Sequence, residues 1–251
     1  MDFSLASDPA SLATLLFCAV LIGMSKTGIQ GINTISIPLL ALVFGGKEST
    51  GIILPMLCFA DLLAVIHYRR AAEWKHIFRL LPMAVAGFFA ALYADTLVPP
   101  SEFKRMMAFC IFLGLGVMFW SDRKSEAAKR KIFSAWWYAP LFGLMGGFTT
   151  MIGNAAGPVM AVYMLSMNLP KYAFVGTSAW FFLCVNYLKL PIQVFAWDNI
   201  SAASLTANLL TAPFIAAGAW LGIIFVRKLP EKSYRGFIIA VTIASTILML
   251  F

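Results

Sequence analysis

Two stretches of small and polar residues interrupt otherwise apolar sequence, and they hold most of the groups able to meet a charged ligand. The first runs Gly23-Met24-Ser25-Lys26-Thr27-Gly28-Ile29-Gln30-Gly31-Ile32-Asn33-Thr34. The second runs Gly146-Gly147-Phe148-Thr149-Thr150-Met151-Ile152-Gly153-Asn154-Ala155-Ala156-Gly157-Pro158. Where a helix stops inside a membrane, its first backbone N–H groups and its positive dipole end need a partner. Glycines let the chain turn there, and hydroxyl and amide side chains add donors. A helix N-terminus in a dry site is an anion site. The donor candidates are Thr27, Gln30, Asn33 and Thr34 in the first break, and Thr149, Thr150 and Asn154 in the second.

Four further positions carry charge or hydroxyls into apolar sequence. Lys26 is a fixed cation whose insertion costs on the order of 3 kcal/mol; it either faces an anionic ligand, pairs with Asp61, or snorkels along a shallow hairpin. Asp61 stands mid-helix, ten residues past Gly51 and eight before Arg69. It is a candidate to carry a coupling proton, because the charged form is costly to bury; the competing role is a static partner for Lys26 or Lys189. Lys189 is a second cation candidate, either facing the pathway or snorkelling outward, and Pro191 just beyond it loosens the helix. Thr177 and Ser178 follow Gly176 and either line a vestibule or bond neighbouring helices. His67 and His76 belong to no metal-ligand pattern, and the four cysteines (Cys18, Cys58, Cys110, Cys184) have no paired spacing. With no P-loop and no nucleophile–base set, neither a metal, a cofactor nor an enzymatic activity is expected.

The elements that position these groups follow from composition. Of 251 residues, 61% are hydrophobic and 12% charged, with a mean hydropathy of +0.85. A soluble domain is about 25% charged, so a water-soluble enzyme, a disordered chain and a secreted disulfide scaffold are excluded. Apolar segments fall at 12–44, 50–67, 77–97, 104–120, 135–166, 173–195, 200–226 and 234–251. Spanning a bilayer takes about 20 residues as helix, so the chain is an all-α polytopic membrane protein. The segments 12–44 and 135–166 are long but broken, leaving about 11–14 apolar residues on each side of the break, roughly 17–21 Å of helix. Neither arm is expected to span, and each segment reads as a helical hairpin with a broken tip.

The two halves match in order. Pro38 and Pro158 follow the breaks 120 residues apart; Gly51 and Gly176, and Asp61 and Asn186, share an offset of 125; Pro100 and Arg105 match Pro230 and Arg235 at 130. The expected units are a first repeat over 1–121, a basic linker over 122–132 and a second repeat over 133–251, each one hairpin plus three transmembrane helices. Thirteen of the 19 Lys and Arg residues lie in three loops, around 69–79, 123–131 and 227–235. The positive-inside rule makes these loops cytoplasmic and puts both termini outside. An odd number of spans per repeat then inverts the second relative to the first. The net charge of +8 reflects these loops, so no nucleic-acid partner is expected. Trp74, Trp136, Trp137, Tyr138 and Trp197 at segment ends are expected to form an interfacial belt.

The breaks ending in proline, Gly23…Gly28…Gly31…Pro38 and Gly143…Gly146-Gly147…Gly153…Gly157-Pro158, with Gly176-Thr177-Ser178 opening a later helix and the loop Arg69-Arg70…Trp74, resemble the sulfite exporter TauE/SafE family over essentially the whole chain. The resemblance implies a permease of the bacterial inner membrane for small organosulfur or sulfur oxyanions, such as sulfite, sulfoacetate or other organosulfonates. It implies coupling to an ion gradient, with H+ as the expected ion. Many members are denser in glycine at the first break, whereas this chain has Ser25-Lys26-Thr27 and Gln30, a more cationic arrangement. The expected function is a secondary transporter working as an exporter, seated in the lipid bilayer and open to homo-oligomer formation. The alternative is a channel or facilitator for small anionic or neutral solutes.

Overall fold

The apolar segments fold as helix, punctuated where the sequence supplies caps. The computed structural model describes residues 8–95, most positions of 109–120, 123–196, 198 and 200–248. The expectations for Pro100, Arg105, Cys110 and Trp197 fall outside the described residues. The elements are α1 (Pro9–Thr27), α2 (Asn33–Phe44), α3 (Gly46–Tyr68), α4 (Trp74–Asp95), α5 (Glu126–Phe133), α6 (Tyr138–Gly153), α7 (Ala156–Ser166), α8 (Lys171–Pro191), α9 (Ala202–Lys228) and α10 (Glu231–Leu248). The described residues within 109–120 are helical as well. Among the described residues, five helices are long and apolar enough to cross a membrane: Pro9–Thr27, Ser49–Tyr68, Trp74–Ala94, Lys171–Phe195 and Ser204–Lys228. The chain is thus an all-α polytopic membrane protein.

Local signals explain the ends. Asp8 caps α1 by accepting from the Ser11 N–H at 3.1 Å, with Pro9 in the first helical turn. Ser201 and Ser204 form a reciprocal capping box at the start of α9. Pro191 is followed by a π-helical turn over Ile192–Ala196, the loosening its position suggests.

The breaks sit later than the glycines suggest. Helix α1 runs through Gly23 to Thr27, and α6 runs through Gly146 and Gly147 to Gly153. With 19 residues, about 28 Å, α1 is itself a candidate span, against the expectation that neither arm of the first hairpin spans. Helices α2 and α7, with 12 and 11 residues, remain too short. The reason is packing. A Cβ on Gly23 would fall 2.1 Å from the Ile215 carbonyl oxygen of α9, and one on Gly147 would fall 1.9 Å from that of Ala84 in α4. These glycines let two helix backbones touch and leave the helix unbroken.

The first helix of each half therefore packs on the fourth helix of the other: α1 on α9, and α6 on α4, with α3 against α8 between them. Two large apolar cores and a small third one, around Ala64, Val65 and Ala179, result among the described residues. One is built from α1, α2, α3 and α9, around Leu15, Ile22, Leu40, Ile53, Leu57 and Ile215. The other is centred on α4, α6, α7 and α8, around Phe88, Phe142, Tyr163, Phe174 and Phe181. Trp136, Trp137 and Trp74 are exposed at helix ends as an interfacial belt requires, but Tyr138 is 1% exposed and stacks on Tyr163 at 6.0 Å. His76, within the basic stretch 69–79, is buried and hydrogen-bonds with the Tyr163 hydroxyl at 2.8 Å.

One polar clamp ties the ends of α8, α9 and α10. Lys171 Nζ donates to the carbonyls of Val226 at 2.9 Å and Leu229 at 2.6 Å, while its backbone N–H donates to Glu231 at 2.7 Å. Removing the ammonium in Lys171→Met leaves the last carbonyls of α9 without this cap, and a loss of about 1–3 kcal/mol is expected. A melting temperature equal to wild type in detergent would show that the clamp is redundant.

Candidate functional site

The two breaks meet. Gly31, with φ of 96°, turns the chain from α1 into α2, a conformation that glycine adopts without strain. Gly157 packs its bare Cα against it: a Cβ there would lie 3.3 Å from the Gly31 nitrogen. Asn154, in the left-handed region, closes α6 by donating its backbone N–H to the Thr149 and Thr150 carbonyls. Between the breaks lies a small cavity lined by Ser25, Lys26, Gln30, Gly31, Asn33 and Thr34 from the first and by Thr150, Asn154, Ala155 and Gly157 from the second. Leu57, Phe182 and Asn186 complete its wall. Helices α2 and α7 both start at this cavity, behind Ile32 and Ala155, and neither has a side-chain cap. At α2 the Thr34 and Ile35 N–H groups already donate to the Gly31 and Ile32 carbonyls, which leaves the Asn33 N–H at that start and the Ala156 and Gly157 N–H groups ahead of Pro158 at the start of α7.

Three buried charges stand around it. Lys26 Nζ pairs with Asp61 Oδ1 at 2.9 Å and lies 3.9 Å from the centre of the Phe182 ring. Asp61 Oδ2 accepts from Asn186 Nδ2 at 2.6 Å. Asp61 and Asn186 are each 0% exposed, so the Asn186 NH2 depends on Asp61 for its partner, while Asp61 is held by both Lys26 and Asn186. Lys189, also fully buried, does not snorkel. Its ammonium donates to the Thr150 carbonyl at 2.8 Å, to Thr150 Oγ1 at 3.2 Å and to Asn154 Oδ1 at 2.5 Å. It caps the C-terminal end of α6, where a cation meets the negative end of the helix dipole.

The partners of two asparagines fix their amide orientation. Asn186 gives its NH2 to a carboxylate, which only accepts, so its Oδ1 is the free end. Asn154 gives its oxygen to an ammonium, which only donates, so its NH2 is the free end. Asn186 Oδ1, Gln30 Oε1 and Asn33 Oδ1 accept no hydrogen bond from any described residue.

Of the residues expected to bind substrate, the fold brings Lys26, Gln30, Asn33, Thr34, Thr150 and Asn154 to the cavity. Four others are placed elsewhere. Thr27 turns toward α9 and donates to the Ala219 carbonyl at 2.8 Å. Thr149 folds back on its own helix, donating to the Met145 carbonyl at 2.9 Å. Thr177 accepts from the Glu73 N–H at 2.9 Å, where it joins helix ends. Ser178 is buried off the cavity wall. The reason is rotational: neighbours in a helix point about 100° apart, so Thr27 beside Lys26 and Thr149 beside Thr150 cannot share a face. Asp61 and Lys189 sit behind the wall and hold Lys26, Asn186, Thr150 and Asn154 in place.

Sequence reasoning missed Ser25, Phe182 and Asn186 as lining residues. Asn186 had a signal, its offset of 125 from Asp61, the residue it turns out to touch; Phe182 had none. Among the described residues no cluster of ligands suits a metal, and Cys18, Cys58 and Cys184 are free thiols.

Neither a curated protein nor a solved structure matches the chain at a significant level. The family model described as sulfite exporter TauE/SafE, by contrast, matches residues 15–249, nearly the whole chain. The chain belongs to the TauE/SafE family, membrane transporters of sulfur anions such as sulfite.

Proposed function

We propose that the chain is a secondary transporter, working as an exporter, that binds a small sulfur-containing anion such as sulfite, sulfoacetate or another organosulfonate where the two breaks meet. The observation that carries this reading is the convergence of two helix starts without side-chain caps, α2 and α7, on one polar cavity beside two buried lysines and one carboxylate. Backbone N–H groups with Asn33, Thr34, Thr150 and Asn154 hold the oxyanion, and Lys26 offsets its charge.

The reading includes two inverted repeats rocking about this point. It is supported by the reciprocal packing of α1 on α9 and α6 on α4, and by the contact between the offset mates Asp61 and Asn186. Asp61 is the proposed carrier of a coupling proton, because protonation would remove the charge that holds Lys26. The protein sits in the inner membrane with its three basic loops inside and both termini outside.

The test is a melting panel on detergent-purified protein with sulfite, thiosulfate, taurine, sulfoacetate, isethionate, acetate and phosphate at matched ionic strength. A ligand at about 100 times its Kd stabilises by roughly 2.7 kcal/mol. Stabilisation by sulfur oxyanions and not by acetate is expected; equal response to acetate, or none to any sulfur oxyanion, would sink the reading. Counterflow of labelled against unlabelled substrate in vesicles then separates a carrier from a channel.

A further inference from the structure

The two asparagines of the cavity present opposite polarities, and neither can turn over without breaking a bond to a charge. Asn154 offers an NH2, because Lys189 holds its oxygen. Asn186 offers an oxygen, because Asp61 holds its NH2, and that oxygen is buried and accepts nothing from any described residue. An amide carbonyl left without a donor in a dry site is costly. Oxyanion oxygens only accept, so a bare oxyanion satisfies Asn154 and both helix starts but repels the Asn186 oxygen. The charges point the same way: Lys26 and Lys189 against Asp61 leave a single positive charge next to the cavity.

Resting on the transport reading above, we infer that the substrate is a monoanion carrying one hydrogen-bond donor beside its oxyanion group. The donor meets Asn186 Oδ1 while the oxyanion meets Asn154 and the starts of α2 and α7. Hydrogensulfite fits this description and the sulfite dianion does not. A hydroxyalkanesulfonate fits, whereas a plain alkanesulfonate lacks the donor and sulfoacetate brings a second negative charge in its place. An aminosulfonate supplies donors but adds a third cation beside the two lysines.

The test uses pairs that differ by one hydroxyl, in two sizes: hydroxymethanesulfonate against methanesulfonate, and isethionate against ethanesulfonate. Binding to the purified full chain is measured by titration calorimetry, with sulfite and sulfoacetate alongside. At least one hydroxylated member is expected to bind roughly tenfold more tightly than its plain partner, and sulfoacetate more weakly than isethionate. In Asn186→Leu that preference collapses; should this variant not fold, the wild-type pairs carry the test alone. A preference absent in both sizes, whether both members bind or neither does while sulfite binds, overturns this inference and leaves the transport reading standing. Failure of every sulfur oxyanion to bind overturns both.

Discussion

Lys26→Met is expected to cost the fold about 3–5 kcal/mol and to abolish anion binding, while Lys26→Met combined with Asp61→Asn recovers most of the stability and none of the binding. Asp61 is 0% exposed and its Oδ1 faces the Lys26 ammonium at 2.9 Å. Removing the cation leaves a buried carboxylate with only the Asn186 amide to stabilise it. An ion pair on a protein surface contributes 1 kcal/mol at most, but stranding one member of a buried pair is among the costliest changes available. Neutralising Asp61 removes the stranded charge, and an asparagine there keeps a partner in Asn186. Melting temperatures of the two single variants and the double variant give the coupling directly. A single variant as stable as wild type would mean that Asp61 does not depend on Lys26. A double variant that still binds sulfite would remove Lys26 from the site while leaving its structural role intact.

The second large effect is at the helix seams. Gly23→Ala and Gly147→Ala each place a methyl carbon within about 2 Å of a backbone carbonyl oxygen of the neighbouring helix, Ile215 in the one case and Ala84 in the other. Neither contact can be relieved by rotating a side chain, so the helices must separate along their length. Overpacking of this kind is expected to cost 3 kcal/mol or more, above the roughly 1–3 kcal/mol usual where side chains can yield. The monodisperse peak on size-exclusion chromatography should be lost. Gly116→Ala and Gly236→Ala, where a Cβ meets nothing within 4 Å, are matched controls that should change stability by no more than about 1 kcal/mol. Intact peaks for Gly23→Ala and Gly147→Ala would mean that the seams are looser than the backbone contacts indicate. Because these seams join the two halves, damage at Gly147 should also blunt ligand stabilisation in any protein that survives.

How far the sequence could be read depended on the range of the interaction involved. Class and span were legible because they follow from residue type alone: no soluble fold tolerates this hydropathy, and helix is what apolar runs of about 20 residues form in a bilayer. The existence of two special segments was legible too, because polar residues are costly in hydrocarbon and are kept there for a reason. Gly23 and Gly147 were misread as chain breaks because a glycine that bends a chain and one that admits a neighbouring backbone look alike in sequence. Only the position of α9 and α4 separates the two roles. The same limit applies to the hydroxyls: Thr149 and Thr150 are chemically identical, and the rotation of α6 against its neighbours decides which one Lys189 holds.

The sequence by itself determined that this is a helical membrane protein with two polar interruptions and with one carboxylate and two lysines set in apolar sequence. Tertiary structure alone decided that Lys26 pairs with Asp61 while Lys189 caps α6, and that the interruptions meet at Gly31 and Gly157. Hydropathy is a sum over single residues, whereas a charge pair, a seam or a cavity exists only between residues that the chain separates by 35 to more than 190 positions.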